Sequence, residues 1–151
     1  MKKYRVGYTT GVFDLFHIGH LNLLRRAKEQ CEYLIVGVST DELVQEYKNK
    51  KPVVPYEERI QIVEAIKYVD AVVPQVNRDK IEAYRRVQFD AMFVGDDWKG
   101  DPLFEQVERE LARYGSTVVY LPYTRTTSST LLTQVLKKLV MQDTTHGSGL
   151  A

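Results

Sequence analysis

The chain has 151 residues, 44% of them hydrophobic, which suits one globular domain with a full core and excludes extensive disorder. Its 21 Lys and Arg against 20 Asp and Glu leave a net charge of +1, so no global field draws duplex nucleic acid or an anionic membrane, and any anion site is local. Cys31 is the only cysteine, which excludes an intramolecular disulfide and a multi-cysteine zinc site and suits the reducing cytoplasm. The start, Met1-Lys2-Lys3-Tyr4-Arg5, has charge but no long apolar segment behind it as a secretory leader would, and no window reaches the roughly eighteen apolar residues of a membrane span.

Short β-branched and aromatic runs at 6–9, 33–38, 71–73, 91–94 and 117–121 read as strands. They are nearly continuously apolar, as strands covered on both faces are. Between them, 18–30 carries Leu21, Leu24 and Ala27 at helical spacing, and Ser39-Thr40-Asp41-Glu42 reads as a capping box opening a short helix. Further helices are predicted at 56–67, 78–87, 102–114 and 129–140. The alternation predicts an α/β domain over 5–140: a doubly wound, Rossmann-like parallel sheet of five strands with helices on both faces. Residues 141–151 are expected to form a flexible C-terminal tail. In such folds ligands bind beyond the carboxyl ends of the strands, where the strand order reverses.

The segment Thr9-Thr10-Gly11-Val12-Phe13-Asp14-Leu15-Phe16-His17-Ile18-Gly19-His20 occupies one such end and holds two of the three histidines, the third being His146 in the polar tail. If a helix begins near His17, both imidazoles lie on its first turn beside backbone N–H groups without intrahelical partners, a place suited to a polyanion. Taken alone, the pair also reads as metal ligands or as two unrelated surface residues. The metal reading lacks a clustered cysteine or third histidine, and Gly19 suits close backbone approach to a ligand.

Together with Gly11-Val12-Phe13-Asp14, the run His17-Ile18-Gly19-His20 resembles the His-x-Gly-His signature that follows the first strand in a superfamily of nucleotidyltransferases. Ser39-Thr40-Asp41-Glu42, Pro55-Tyr56-Glu57-Glu58-Arg59, Tyr68-Val69-Asp70, Gly95-Asp96-Asp97-Trp98 and a Ser/Thr-rich turn near the end narrow the resemblance to the cytidylyltransferases. It is closest to those that act on glycerol 3-phosphate, and the blocks fall in order over residues 5 to 135. The resemblance implies a Mg²⁺-dependent enzyme, a homodimer, in which the phosphate of an alcohol attacks the α-phosphorus of CTP and pyrophosphate leaves without a covalent enzyme intermediate. In such transfers a protein contributes mainly positioning and charge stabilisation. The same machinery would serve phosphoethanolamine or phosphocholine as acceptor, or ATP as donor. A non-catalytic nucleotide-binding module is the reading from a different class.

By this resemblance His17 and His20 hold the triphosphate and stabilise the charge that develops on it, with Thr10, Gly11 and Phe13 lining the same turn. Lys48 and Lys50, in a charge run with Lys51, match the functional positions of a mobile lysine-bearing loop. Arg59 matches an arginine that binds substrate phosphate, and Lys67 stands where the family often carries arginine, losing the bidentate fork. Asp96, Asp97 and Trp98 fall at the nucleotide and acceptor pocket. Asp14 reads as a local cap of the Gly11 turn before it reads as a metal ligand, and Asp70 as fixing the end of a helix. No metal ligand set is assigned. Two departures from the pattern stand out. Val12 replaces a threonine, with Thr10 as substitute. Tyr123 replaces an arginine, with Arg125 two places later and Ser128 and Ser129 at the hydroxyl positions.

Overall fold

The computed structural model describes residues 2–122 and 128–145. Five strands, β1 (Tyr4–Gly11), β2 (Cys31–Ser39), β3 (Ala71–Gln75), β4 (Ala91–Gly95) and β5 (Thr117–Leu121), form one parallel sheet in the order β3-β2-β1-β4-β5. The helices are α1 (Ile18–Gln30), α2 (Asp41–Lys48), α3 (Tyr56–Glu64), α4 (Lys80–Val87), α5 (Pro102–Ala112) and α6 (Ser129–Thr145), with a 3₁₀ turn at Asp96–Trp98. This is the doubly wound α/β sheet expected. The chain winds outward from β1 in both directions, so the order reverses between β1 and β4 and the loop after β1 opens onto the crevice there.

Alternation along the strands divides the core in two. Leu34, Val36 and Val38 of β2 and Phe93 of β4 face one layer, filled by Leu24 and Ala27 of α1 and Val63 of α3. Tyr8 and Met92 face the other, filled by Ala83 of α4 and by Phe104, Val107 and Leu111 of α5. Each strand is therefore apolar on both faces, which is why the runs read as continuous rather than alternating.

Four expectations shift. The helix predicted over 56–67 ends at Glu64, because the Ala65 N–H bonds to the carbonyls of Gln61 and Ile62 at 3.1 and 3.2 Å and the chain tightens into turns. Those turns carry Ile66 and Val69 against the core. Ser39 closes β2, and Thr40 caps α2, its hydroxyl accepting the Leu43 N–H at 3.2 Å. Asp70 caps no helix: its carboxylate accepts the Leu34 N–H at 2.7 Å and pairs with Lys28 at 2.6 Å, stitching β2 to α1. Burial pushes that carboxyl up, but the Lys28 and Leu34 hydrogen bonds outweigh it and hold Asp70 below the usual carboxylate range. At the other end α6 runs to Thr145, into the stretch expected to be tail.

Close packing at the sheet centre leaves Gly7 no room for a side chain. A Cβ on Gly7 would lie 2.6 Å from a Phe93 ring carbon and 2.7 Å from Cys31 Sγ. Gly7→Ala is expected to destabilise the fold by about 1–3 kcal/mol through overpacking, measured as a lower urea midpoint at unchanged m-value.

Candidate active site

The β1–α1 loop turns sharply: Phe13 and Leu15 take φ of 55° and 51°, left-handed values that side chains adopt only when held there. Phe13 is held by burial. Its ring lies 5.3 Å from that of His20 and 6.4 Å from that of Phe16, and a Cβ at Gly11 would come within 3.1 Å of it. The turn delivers the chain into α1 with His17 as N-cap.

Here the two histidines cap the helix reciprocally. His17 Nδ1 accepts the Gly19 N–H at 3.0 Å, and His20 Nδ1 accepts the His17 N–H at 3.2 Å, with the ring centroids 3.9 Å apart. Two of the backbone donors expected to meet an anion are thus taken by imidazoles. With each Nδ1 accepting, the neutral rings carry their proton on Nε2. Burial lowers both pKa values; for His20, burial first and then the neighbouring His17 push it down to about 3. Both rings are therefore neutral N–H donors near pH 7.

His20 lines a cavity of about 380 Å³ at the carboxyl end of β1, together with Thr10, Gly11, Val12, Phe13 and Asp14. Lys48 from the end of α2, Lys50, Lys51, Pro52 and Val53 from the segment after it, and Trp98 from the 3₁₀ turn close one side; Ser129, Thr130 and Thr133 of α6 close another. Ser129 Oγ donates to the Asp14 carbonyl and lies 3.5 Å from His20 Nε2. Lys48 is pushed below its ordinary pKa, first by burial and then by the Lys50 charge, while Asp14 pulls it up. Three lysines and one carboxylate among the described lining residues give the cavity a net positive lining, which favours an anion.

The sequence-selected residues divide on this geometry. His20, Lys48, Lys50, Thr10, Gly11, Phe13, Trp98 and Ser129 line the cavity, and His17 sits against His20. Trp98, 44% exposed, rests on Phe104 with centroids 5.3 Å apart and keeps surface toward the cavity. Asp96 and Asp97 are exposed on the same turn but outside the lining, and Ser128 accepts the Leu131 N–H at 3.1 Å at the start of α6. Lys67 lies beyond α3 over the ring of Tyr68, away from the cavity. Arg125, like Tyr123, lies outside the described residues.

Arg59 is placed otherwise than its expected role requires. It is 1% exposed and donates to the carbonyls of Val54, Val12 and Ser39 at 2.8, 2.6 and 2.8 Å and to the Asp41 carboxylate at 2.6 Å. The guanidinium ties together the loops after β1, β2 and α2, and a phosphate in the cavity would meet other groups. Missing from the sequence reading were Thr130 and Thr133. The signal was present: with Ser129 they give hydroxyls at i, i+1 and i+4 at the start of α6.

The cytidylyltransferase-like family profile matches residues 8–141. The chain is 42% identical over 134 residues to the glycerol-3-phosphate cytidylyltransferase of Bacillus spizizenii, covering 87% of this chain and 96% of that protein. It is 40% identical to the enzyme of that name from Staphylococcus aureus, over 85% of this chain and 92% of the relative. The FAD synthase of Thermococcus kodakarensis is 32% identical over 92% of this chain and 93% of its own length. Among solved structures, the fold is similar to that of the lipopolysaccharide core biosynthesis protein from Thermoplasma volcanium, with a TM-score of 0.68 at 24% identity, covering 82% of this chain and 99% of that one.

His20 also sets a pH dependence. Its folded pKa, about 3, lies below the unfolded value near 6.5, so between those limits the unfolded chain takes up a proton that the folded chain refuses. Folding stability is therefore expected to fall as pH drops from about 6.5 toward 3. His20→Asn, whose Oδ1 keeps the capping acceptor, should flatten that slope in urea melts taken at pH 7.5, 6, 5 and 4.

Proposed function

We propose, from the premise that the chain belongs to the cytidylyltransferase-like family, that it transfers CMP from CTP to glycerol 3-phosphate, giving CDP-glycerol and pyrophosphate. It is a nucleotidyltransferase of the cytidylyltransferase type. The observation that carries the choice of acceptor is the 42% identity to a glycerol-3-phosphate cytidylyltransferase along nearly the whole of both chains. In this reading a phosphate oxygen of glycerol 3-phosphate attacks the α-phosphorus of CTP, the bond to the β-phosphate oxygen breaks, and that oxygen leaves with its electron pair on pyrophosphate.

The chain's residues then act on charge and position. The Nε2–H groups of His17 and His20 donate to oxygens of the triphosphate, where negative charge moves from the nucleophile to the leaving group. Because each Nδ1 is engaged by the backbone, the donors are oriented before substrate arrives. Lys48, Lys50 and Lys51 supply the cationic side of the cavity, and Trp98 offers a flat face to the nucleoside or acceptor. Among the described residues no three His, Cys, Asp or Glu side chains are grouped as a metal cage. Mg²⁺ would enter with the triphosphate and supply charge neutralisation there. A cytoplasmic homodimer completes the proposal, and the buried free thiol of Cys31 fits a reducing compartment.

A second reading, ATP as donor, is favoured by the relatives named FAD synthase. Pyrophosphate release measured for each pairing of CTP or ATP with glycerol 3-phosphate, phosphocholine, phosphoethanolamine or FMN decides between them: CTP with glycerol 3-phosphate is expected to be fastest, and a preference for ATP would reverse the donor assignment. His17→Asn and His20→Asn, which keep the cap and delete the Nε2–H, are each expected to lower kcat at least about 100-fold. His17→Ala should in addition lose about 1 kcal/mol of stability with the cap. Chelation by EDTA should stop turnover while leaving the Tm of the nucleotide-free protein unchanged.

A further inference from the structure

We propose that Asp14 is a positioning residue whose carboxylate fixes the lysine-bearing segment between α2 and α3 to the histidine loop, holding Lys50 and Lys51 over the cavity that His20 lines. The inference rests on reading that cavity as the triphosphate site. Asp14 is 8% exposed, and each carboxylate oxygen accepts a backbone N–H from the far end of the segment: Val53 N–H to Oδ2 at 2.8 Å and Val54 N–H to Oδ1 at 2.9 Å. With both oxygens so engaged, the carboxylate caps no turn at Gly11, the role expected from its position before a helix.

The near end of the segment is also fixed. Asn49 closes α2 in the left-handed conformation at φ 54°, its N–H bonded to the Gln45 carbonyl at 3.0 Å. Only Lys50, Lys51 and Pro52 lie between Asn49 and Val53, so the two anchors are four residues apart, about 14 Å at full extension. A strap that short moves its lysine backbones little while both ends hold, and their reach into the cavity comes from the side chains. The same residue serves a second wall: the Asp14 carbonyl accepts the hydroxyl of Ser129, which faces His20. Strap, α6 and histidine loop thus meet at one side chain and its peptide. Asparagine has the shape to replace it but only one acceptor, so its NH₂ would oppose the N–H of Val53 or Val54.

Two readouts test this without assuming any activity. In the wild-type protein, hydrogen exchange at the amides of Val53 and Val54 is expected to be at least about 30-fold slower than at Lys50 and Lys51; equal rates would overturn the proposal. In Asp14→Asn, trypsin is expected to cut after Lys48 or Lys50 at least about tenfold faster at a temperature where the variant remains folded by circular dichroism, and an unchanged rate would overturn it. A third separates positioning from a general structural role, measured with whichever substrate pair turns over. D14N should lower kcat/KM about 30-fold in the wild-type background but less than about threefold in K50A/K51A, since the lysines it positions are gone. Equal losses in both backgrounds would refute action through the strap.

Discussion

An imidazole has two nitrogens, and this fold commits one from each histidine to its own backbone. The reciprocal cap at the start of α1 orients both rings and fixes the proton on Nε2. It also does so in a half-buried setting that keeps them uncharged near neutrality. A pair of neutral N–H donors has an advantage over a pair of cations at this spacing. Ring centroids 3.9 Å apart would repel strongly if both were protonated, whereas neutral rings can stand together in the absence of any anion. The cationic charge is supplied from further out, on lysines whose long stems place it without burying it fully.

Arg59 solves a different problem. The loops after β1 and α2 and the carboxyl end of β2 converge beside α3, and each brings a carbonyl to Arg59. One guanidinium, with its five donors, takes three of those carbonyls and a carboxylate at once. A lysine would place its charge there but not the directions, and a hydrophobic residue would leave the carbonyls orphaned in the core. The buried charge is tolerated because its partners are numerous and close, and the pairing with Asp41 at 2.6 Å offsets part of the desolvation. Removing one partner would leave the rest uncompensated, so the cluster behaves as a unit.

What could be read from the sequence follows the range of the interactions involved. The five strands and six helices are written in local periodicity, and the histidine pair is a local motif whose two members lie three residues apart, so both were legible. Arg59 was not: its partners lie at residues 12, 39, 41 and 54, and nothing local distinguishes an arginine that binds carbonyls from one that binds phosphate. Asp14 was misread for a similar reason. An aspartate before a helix ordinarily caps it, but here His17 occupies the cap and frees the carboxylate to reach residues 53 and 54. The early end of α3 came from the tertiary pull of Ile66 and Val69 into the core, which overrode a helical pattern that continued in the sequence.

These features are connected in order. Left-handed φ at Phe13 and Leu15 turns the chain hard enough that His17 can begin α1 directly over the end of β1. The same turn points Asp14 sideways, toward the segment after α2, and presents its carbonyl to Ser129. Phe13, buried at 4% exposure against Phe16 and His20, is what keeps the turn from relaxing, and Gly11 is what lets its ring fold back. The strain is local, of order 1–3 kcal/mol per left-handed side chain, and the hydrophobic contacts of one aromatic ring are of the right size to offset it. A short unstrained loop would leave the histidines, the lysines and the α6 hydroxyls on separate sides of the crevice. The cost of the turn is thus tied to the convergence of three elements, the histidine loop, the lysine-bearing segment and α6, on one cavity.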